Sequence, residues 1–130
     1  MANRHLSRSI VLQTLFEWDF LLARSSGGPE DQKAESSGSV IKEILKRNLK
    51  EFAPGFEEDP FASALLELTL RKRATIDEII EKAAPDWPLQ KISVIDRNIL
   101  RIGLTELLFG DSSEVPPKVA INEAIELAKT

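Results

Sequence analysis

From Asp59 to Pro85 the apolar residues keep a single spacing. Ala62, Leu65, Leu66, Thr69, Ile76, Ile79, Ile80 and Ala83 fall three, four or seven apart, which is the stripe of a helix that buries one face. Asp59 followed by Pro60 is a helix start, a carboxylate cap with proline at the first helical position. Pro85 is the stop. About 25 residues at 1.5 Å rise make a rod of roughly 37 Å. A helix of that length needs other helices or a sheet to cover its stripe. No period-2 run of useful length occurs in the chain, so a sheet has no strands to draw on. The fold class predicted is all-α, a compact helical bundle of about five main helices around one core.

The remaining helices follow from the same spacing. Residues 4–24 carry Val11, Leu15, Trp18 and Leu22 on one face, with Leu12, Phe16 and Phe20 beside it. Residues 25–38 hold Ser, Gly, Pro and charge, with no aliphatic residue larger than alanine, and read as a flexible loop. Val40, Ile41, Ile44, Leu45, Leu49 and Phe52 give the next helix, with Lys42, Lys46, Arg47 and Lys50 outward, and residues 53–55 (APG) end it. The stretch DWPLQKI is a link with room for one turn. SVID at 93–96 is a capping box with Asp96 where Glu is usual. It opens a helix in which Ile95, Ile99, Ile102 and Glu106 fall on one line and which Gly110 closes. DSSEVPP is a turn, and a last helix opens near Pro117. Its inward stripe by spacing is Ile121, Ala124, Ile125 and Ala128, with Asn122, Glu123 and Glu126 elsewhere.

Chemistry is mostly excluded by composition. At 130 residues the chain has the length of one domain, 1–130, able to bury a core without staples. It has no cysteine, so disulfides and thiolate catalysis are out and a reducing compartment, the cytoplasm, is implied. Its one histidine, His5, lies near a terminus, which leaves neither a zinc site nor a Ser–His–Asp triad to assemble. No glycine-rich phosphate loop is present, since Gly27–Gly28 sits in the loop and opens no helix from a strand. No apolar run approaches the roughly 18 residues of a membrane span. No catalytic residues, metal or cofactor are expected. The net charge of −4 requires that any contact with nucleic acid come from a local patch.

One such patch stands out. The first sixteen residues contain no acid, and Arg4, His5 and Arg8 lie within about one helical turn there, with Arg4 and Arg8 on a shared face. The free N–H groups of a helix start favour anions. Spacing alone leaves two readings open, a solvated terminus or a phosphate contact. Arg71–Lys72–Arg73 interrupts the long stripe and reads as its solvent side.

VLQTLFEWDF in the first helix, SVIDRNILRIGLTELLF in the middle and VPPKVAINEAIELAKT at the end, with the spacing between them, resemble the NusB family of bacterial transcription antitermination factors. The resemblance spans Arg4 to Thr130. It implies an all-helical, non-enzymatic RNA-binding protein that pairs with NusE, a small-subunit ribosomal protein. The pair binds the boxA element of nascent RNA within the RNA polymerase antitermination complex, notably on ribosomal RNA operons. In the family a basic N-terminal segment contacts RNA. The positions that match it are Arg4, His5 and Arg8, with Ser9 and Gln13 on nearby turns, and Lys118 is a further phosphate contact at the last helix start. The acidic position at the start of the IDRNILR helix, Asp96, implies a NusE contact, with Arg97 and Arg101 on the same face. Asp96 also serves as a cap, and Arg101 has Asp96 or Glu106 within reach for pairing.

Family members continue past LAK with a turn and another helix. That final family helix is missing, so the C-terminus reads as truncated and is expected to leave apolar surface exposed. Dimers occur among NusB-like proteins, and a homodimer is one use for such a patch. Two other functions stay open: the NusB-like domain of a ribosomal RNA cytosine methyltransferase, or a helical protein–protein scaffold that binds no RNA.

Overall fold

A computed structural model describes residues 4–24, 30–55, 59–86, 88–110 and 116–128, with the side chains of all of these except 22–24, 30–39 and 90. Residues 25–29 of the expected loop, residues 111–115 of the expected turn and the side chain of Leu22 lie outside that description. Five α-helices follow in order: α1 (Arg4–Arg24), α2 (Glu30–Phe52), α3 (Pro60–Ala83), α4 (Val94–Phe109) and α5 (Pro117–Ala128). A single 3-10 turn, Leu89–Lys91, fills the link before α4. No strand occurs among the described residues, in keeping with an all-α fold. The chain forms two compact units, Met1–Ser63 and Ala64–Thr130, with the boundary in the first turn of α3.

In the first unit α1 packs against α2. Val11, Leu15 and Trp18 are buried as their spacing predicts, joined by Ile10, and so are Ile41, Ile44, Leu45 and Leu49 of α2. Phe20, Val40 and Phe52, each about half exposed, stand at the edges of these stripes. Two polar residues sit fully inside. Asn48 donates from Nδ2 to Thr14 Oγ1 at 3.1 Å, and Thr14 donates in turn to the Ile10 carbonyl at 2.8 Å. The buried hydroxyl and amide therefore satisfy each other and tie α1 to α2.

α2 begins ten residues earlier than its apolar spacing suggests, at Glu30, so residues 30–38 are helical where composition predicts loop. The physical reason lies in the residues themselves. Glu30 and Asp31 put negative charge on the positive end of the helix, and Gln32, Lys33, Ala34 and Glu35 all favour helix. Absence of an apolar stripe does not by itself exclude helix.

α3 starts as predicted. Asp59 Oδ1 accepts the Ala62 N–H at 3.1 Å, with Pro60 at the first position. Its stripe is buried at Ala62, Leu65, Leu66, Thr69, Ile76 and Ile80, whereas Ile79 is half-buried and Ala83 is exposed in the fraying last turn. Ser93 caps α4, its Oγ accepting the Asp96 N–H at 3.1 Å. Ile99, Ile102 and Glu106 are buried along the expected line, but Ile95 is 49% exposed. Gly110 ends α4 for a reason other than the left-handed conformation a closing glycine usually supplies. Its backbone is extended (φ −77°, ψ 167°), and a Cβ there would come within 2.6 Å of the Glu106 carbonyl oxygen.

In the second unit α4 packs against α5. Here the predicted stripe is wrong by one position. Ile121 and Ile125 are each 50% exposed and Ala128 is exposed, while Ala120 and Leu127 are buried and Ala124 and Glu123 half-buried. Positions 120, 124 and 127 satisfy helical spacing as well as 121, 125 and 128 do. Close approach decides between them. A Cβ on Gly103 of α4 would lie 3.0 Å from the Cβ of Ala124, so the backbones meet where only small residues fit. Ala124 faces α4, and Ile121 and Ile125 turn outward.

Candidate nucleic-acid interface

The basic end of α1 is built by the first turn of α3. The guanidinium carbons of Arg4 and Arg8 lie 4.7 Å and 5.0 Å from the centroid of the Phe61 ring, both within cation–π range. Beside them Ser7 Oγ donates to Asp59 Oδ2, the carboxylate whose other oxygen caps α3. One short segment, Asp59 to Phe61, thus receives three residues of α1. The i, i+4 spacing of Arg4 and Arg8 makes this possible, because it places both on the face that meets the ring.

The two arginines differ in access. Arg4 is exposed, whereas Arg8 is only 2% exposed. Of the two, only Arg4 reaches outward, and the guanidinium of Arg8 lies inside against the ring of Phe61. His5 and Ser9 are half-buried, and Ser9 Oγ donates to the His5 carbonyl at 2.9 Å. Gln13 is exposed and donates from Nε2 to Glu17 Oε1 at 3.0 Å. Glu17 also accepts from Arg47 of α2. The acid-free surface therefore narrows toward Gln13 and ends at Glu17.

The second unit holds the other expected site residues. Lys118 is exposed in the first turn of α5. Asp96 is exposed at the start of α4 and Arg97 beside it is half-buried. Arg101 is not on that surface. It is 5% exposed, donates from Nε and Nη2 to the two carboxylate oxygens of Asp77 at 2.8 and 3.0 Å, and donates from Nη1 to Asn98 Oδ1 at 2.9 Å. Asn98 in turn donates to the Val94 carbonyl at 2.7 Å. Beside the pairings with Asp96 or Glu106 that spacing allows, Arg101 makes a bidentate fork to α3, a geometry that suits its planar guanidinium.

Lys72 lies 5.0 Å from the centroid of the Phe109 ring, so one member of the Arg71–Lys72–Arg73 run is held over an aromatic face and is half-buried. Phe61, Asp77 and Asn98 are the residues that sequence reasoning passes over. Phe61, four residues before Leu65, reads by spacing as one more apolar residue of the α3 stripe, and no local pattern links positions 77 and 101. Among the described residues, no group of three His, Cys, Asp or Glu side chains could hold a metal ion. No described helix is long and apolar enough to cross a membrane.

Comparison with known proteins gives this geometry a context. The model of the NusB family matches residues 5–130. A transcription antitermination protein NusB from Chloroflexus aggregans is 35% identical over 128 residues, which cover 98% of this chain and 75% of that relative. The protein of that name from Roseiflexus castenholzii is 37% identical over 126 residues, covering 97% of the chain and 78% of the relative. Another from Salinibacter ruber reaches 49% identity over a shorter stretch of 77 residues, 56% of the chain. With a family match over residues 5–130 and two of these relatives covered to 75% and 78% of their length, the chain belongs to the NusB family.

Proposed function

We propose that this protein is a non-enzymatic, cytoplasmic RNA-binding factor of transcription antitermination. It acts with NusE on boxA RNA in the RNA polymerase antitermination complex. The observation that carries the reading is the exposed Arg4, held against Phe61 at the acid-free end of α1. A guanidinium fixed by an aromatic face pays little entropy to grip a phosphate, and the helix start beside it favours the same charge. His5, Ser9 and Gln13 flank Arg4, and Arg8 supports it from inside. Lys118, exposed on α5, offers a further phosphate contact in its own unit. Asp96 and Arg97 form the surface offered to NusE, with Arg101 fixing α4 behind them through Asp77.

The test is binding of a boxA oligonucleotide against a scrambled one, with and without NusE, across a salt series. Preference for boxA and a salt-dependent affinity are expected. Each phosphate contact contributes about 0.7 to the log–log salt slope for a single strand, so Arg4→Ala should lower the slope by about that much. NusE binding combined with equal, salt-independent affinity for both RNAs would favour the scaffold reading instead, to which the burial of Arg8 lends some support.

A further inference from the structure

We infer that Phe61 is a positioning residue for RNA contact. Its ring holds Arg4 at the surface and Arg8 beneath it, so that α3, which carries no basic residue in its first turn, sets the reach of the basic end of α1. The inference rests on the RNA-binding reading above and goes beyond it by adding an aromatic residue that touches no RNA itself.

Three observations converge on Phe61. Both guanidinium groups sit about 5 Å from one ring centroid. A cation over an aromatic face is attracted by the ring quadrupole, and that attraction holds the side chain without neutralising its charge. A carboxylate in its place would pair with the arginines and compete with phosphate. The ring leaves the Arg4 N–H groups free of an anionic partner at that contact. The second observation is placement. Phe61 lies two residues beyond Asp59, which accepts from Ser7 of α1 and caps α3, so the ring is pinned to the helix end that α1 meets. The third is access. Phe61 is half-buried, Arg8 is 2% exposed and Arg4 is exposed, so of the two arginines on the ring it is Arg4 that solvent reaches.

Phe61→Leu removes the π face and keeps apolar bulk, while Phe61→Tyr keeps the face. In the RNA-free protein, NMR should show the Arg4 side-chain protons shifted by the ring current, with the shift lost in Phe61→Leu and kept in Phe61→Tyr. Absence of that shift in the parent protein overturns the inference whatever RNA does. In RNA titrations with a boxA oligonucleotide, Phe61→Leu should weaken binding about two- to fivefold and Phe61→Tyr should stay within about twofold of the parent. Combined with Arg4→Gln, Phe61→Leu should cost nothing further. An equal Phe61→Leu loss with and without Arg4→Gln overturns the inference, because the loss then arises elsewhere. If Arg4→Gln alone leaves RNA binding unchanged, the RNA reading of this helix end fails, and the ring-current shift still decides whether Phe61 holds the arginine.

Discussion

Arg101 shows what a single charged residue does when its neighbours dictate its role. Its guanidinium makes a two-bond fork to Asp77 and a third bond to Asn98, with only 5% of the residue exposed. Removing one partner of a buried pair leaves the other charged and dry, at a cost of about 3–5 kcal/mol, and the Asp77 side chain, 20% exposed, keeps enough water to reduce this to about 2–4 kcal/mol. Arg101→Ala is therefore expected to lower the urea midpoint accordingly, with the slope unchanged. Arg101→Lys should recover less than half, since an ammonium cannot make the fork. A loss under about 1 kcal/mol for Arg101→Ala would mean that water replaces the pair and that Arg101 is more accessible than its burial indicates. Sequence reasoning treats an arginine as a surface group because its charge requires water. Arg8 and Arg101 are buried instead, each against a partner in direct contact with it, Phe61 or Asp77, that lies 24 or more residues away in sequence.

At the scale of the element, the α4–α5 contact is set by size. Gly103 and Ala124 meet so closely that a Cβ on Gly103 would lie 3.0 Å from that of Ala124. Gly103→Leu should overpack this seam and cost on the order of 1–3 kcal/mol in chemical denaturation. Ala124→Gly in the same protein should restore part of the loss, less about 1 kcal/mol of helix propensity. No recovery in the double variant would place the strain elsewhere than at this contact. The same seam explains where periodicity stops being informative. The stripes of α1, α3 and α4 are legible because large apolar residues occupy one face and polar residues the other. In α5, small residues lie on one face and Ile121 and Ile125 on the next, so hydrophobicity alone picks the larger residues and the wrong face. The start of α2 is missed for the opposite reason, a segment of good helix formers with no apolar face to announce them. At the site, Arg4 and Arg8 are legible as a pair from their spacing, but the aromatic residue between them is not, because 53 residues of chain separate Arg8 from Phe61.

For the molecule as a whole, a formal charge of −4 means that a polyanion is repelled at long range and attracted only near local basic groups such as those at the start of α1. That end is held by a contact that joins distant parts of the chain. Ser7 and Asp59 are 52 residues apart in sequence, and closing so long a loop is costly until α1 and α2 have already paired. A bond made after that pairing is expected to lie beyond the folding barrier and to act on the rate of opening. Ser7→Ala spares the α3 cap and should cost about 1–2 kcal/mol by leaving a buried carboxylate oxygen without its donor. On a denaturant chevron that loss should appear as roughly tenfold faster unfolding with the folding arm within about twofold of the parent. Equal movement of both arms would place the bond in the folding nucleus. Ser7 and Asp59 form a latch: they set how long the arginine-bearing end persists once formed, and so the lifetime over which a passing RNA strand can find it.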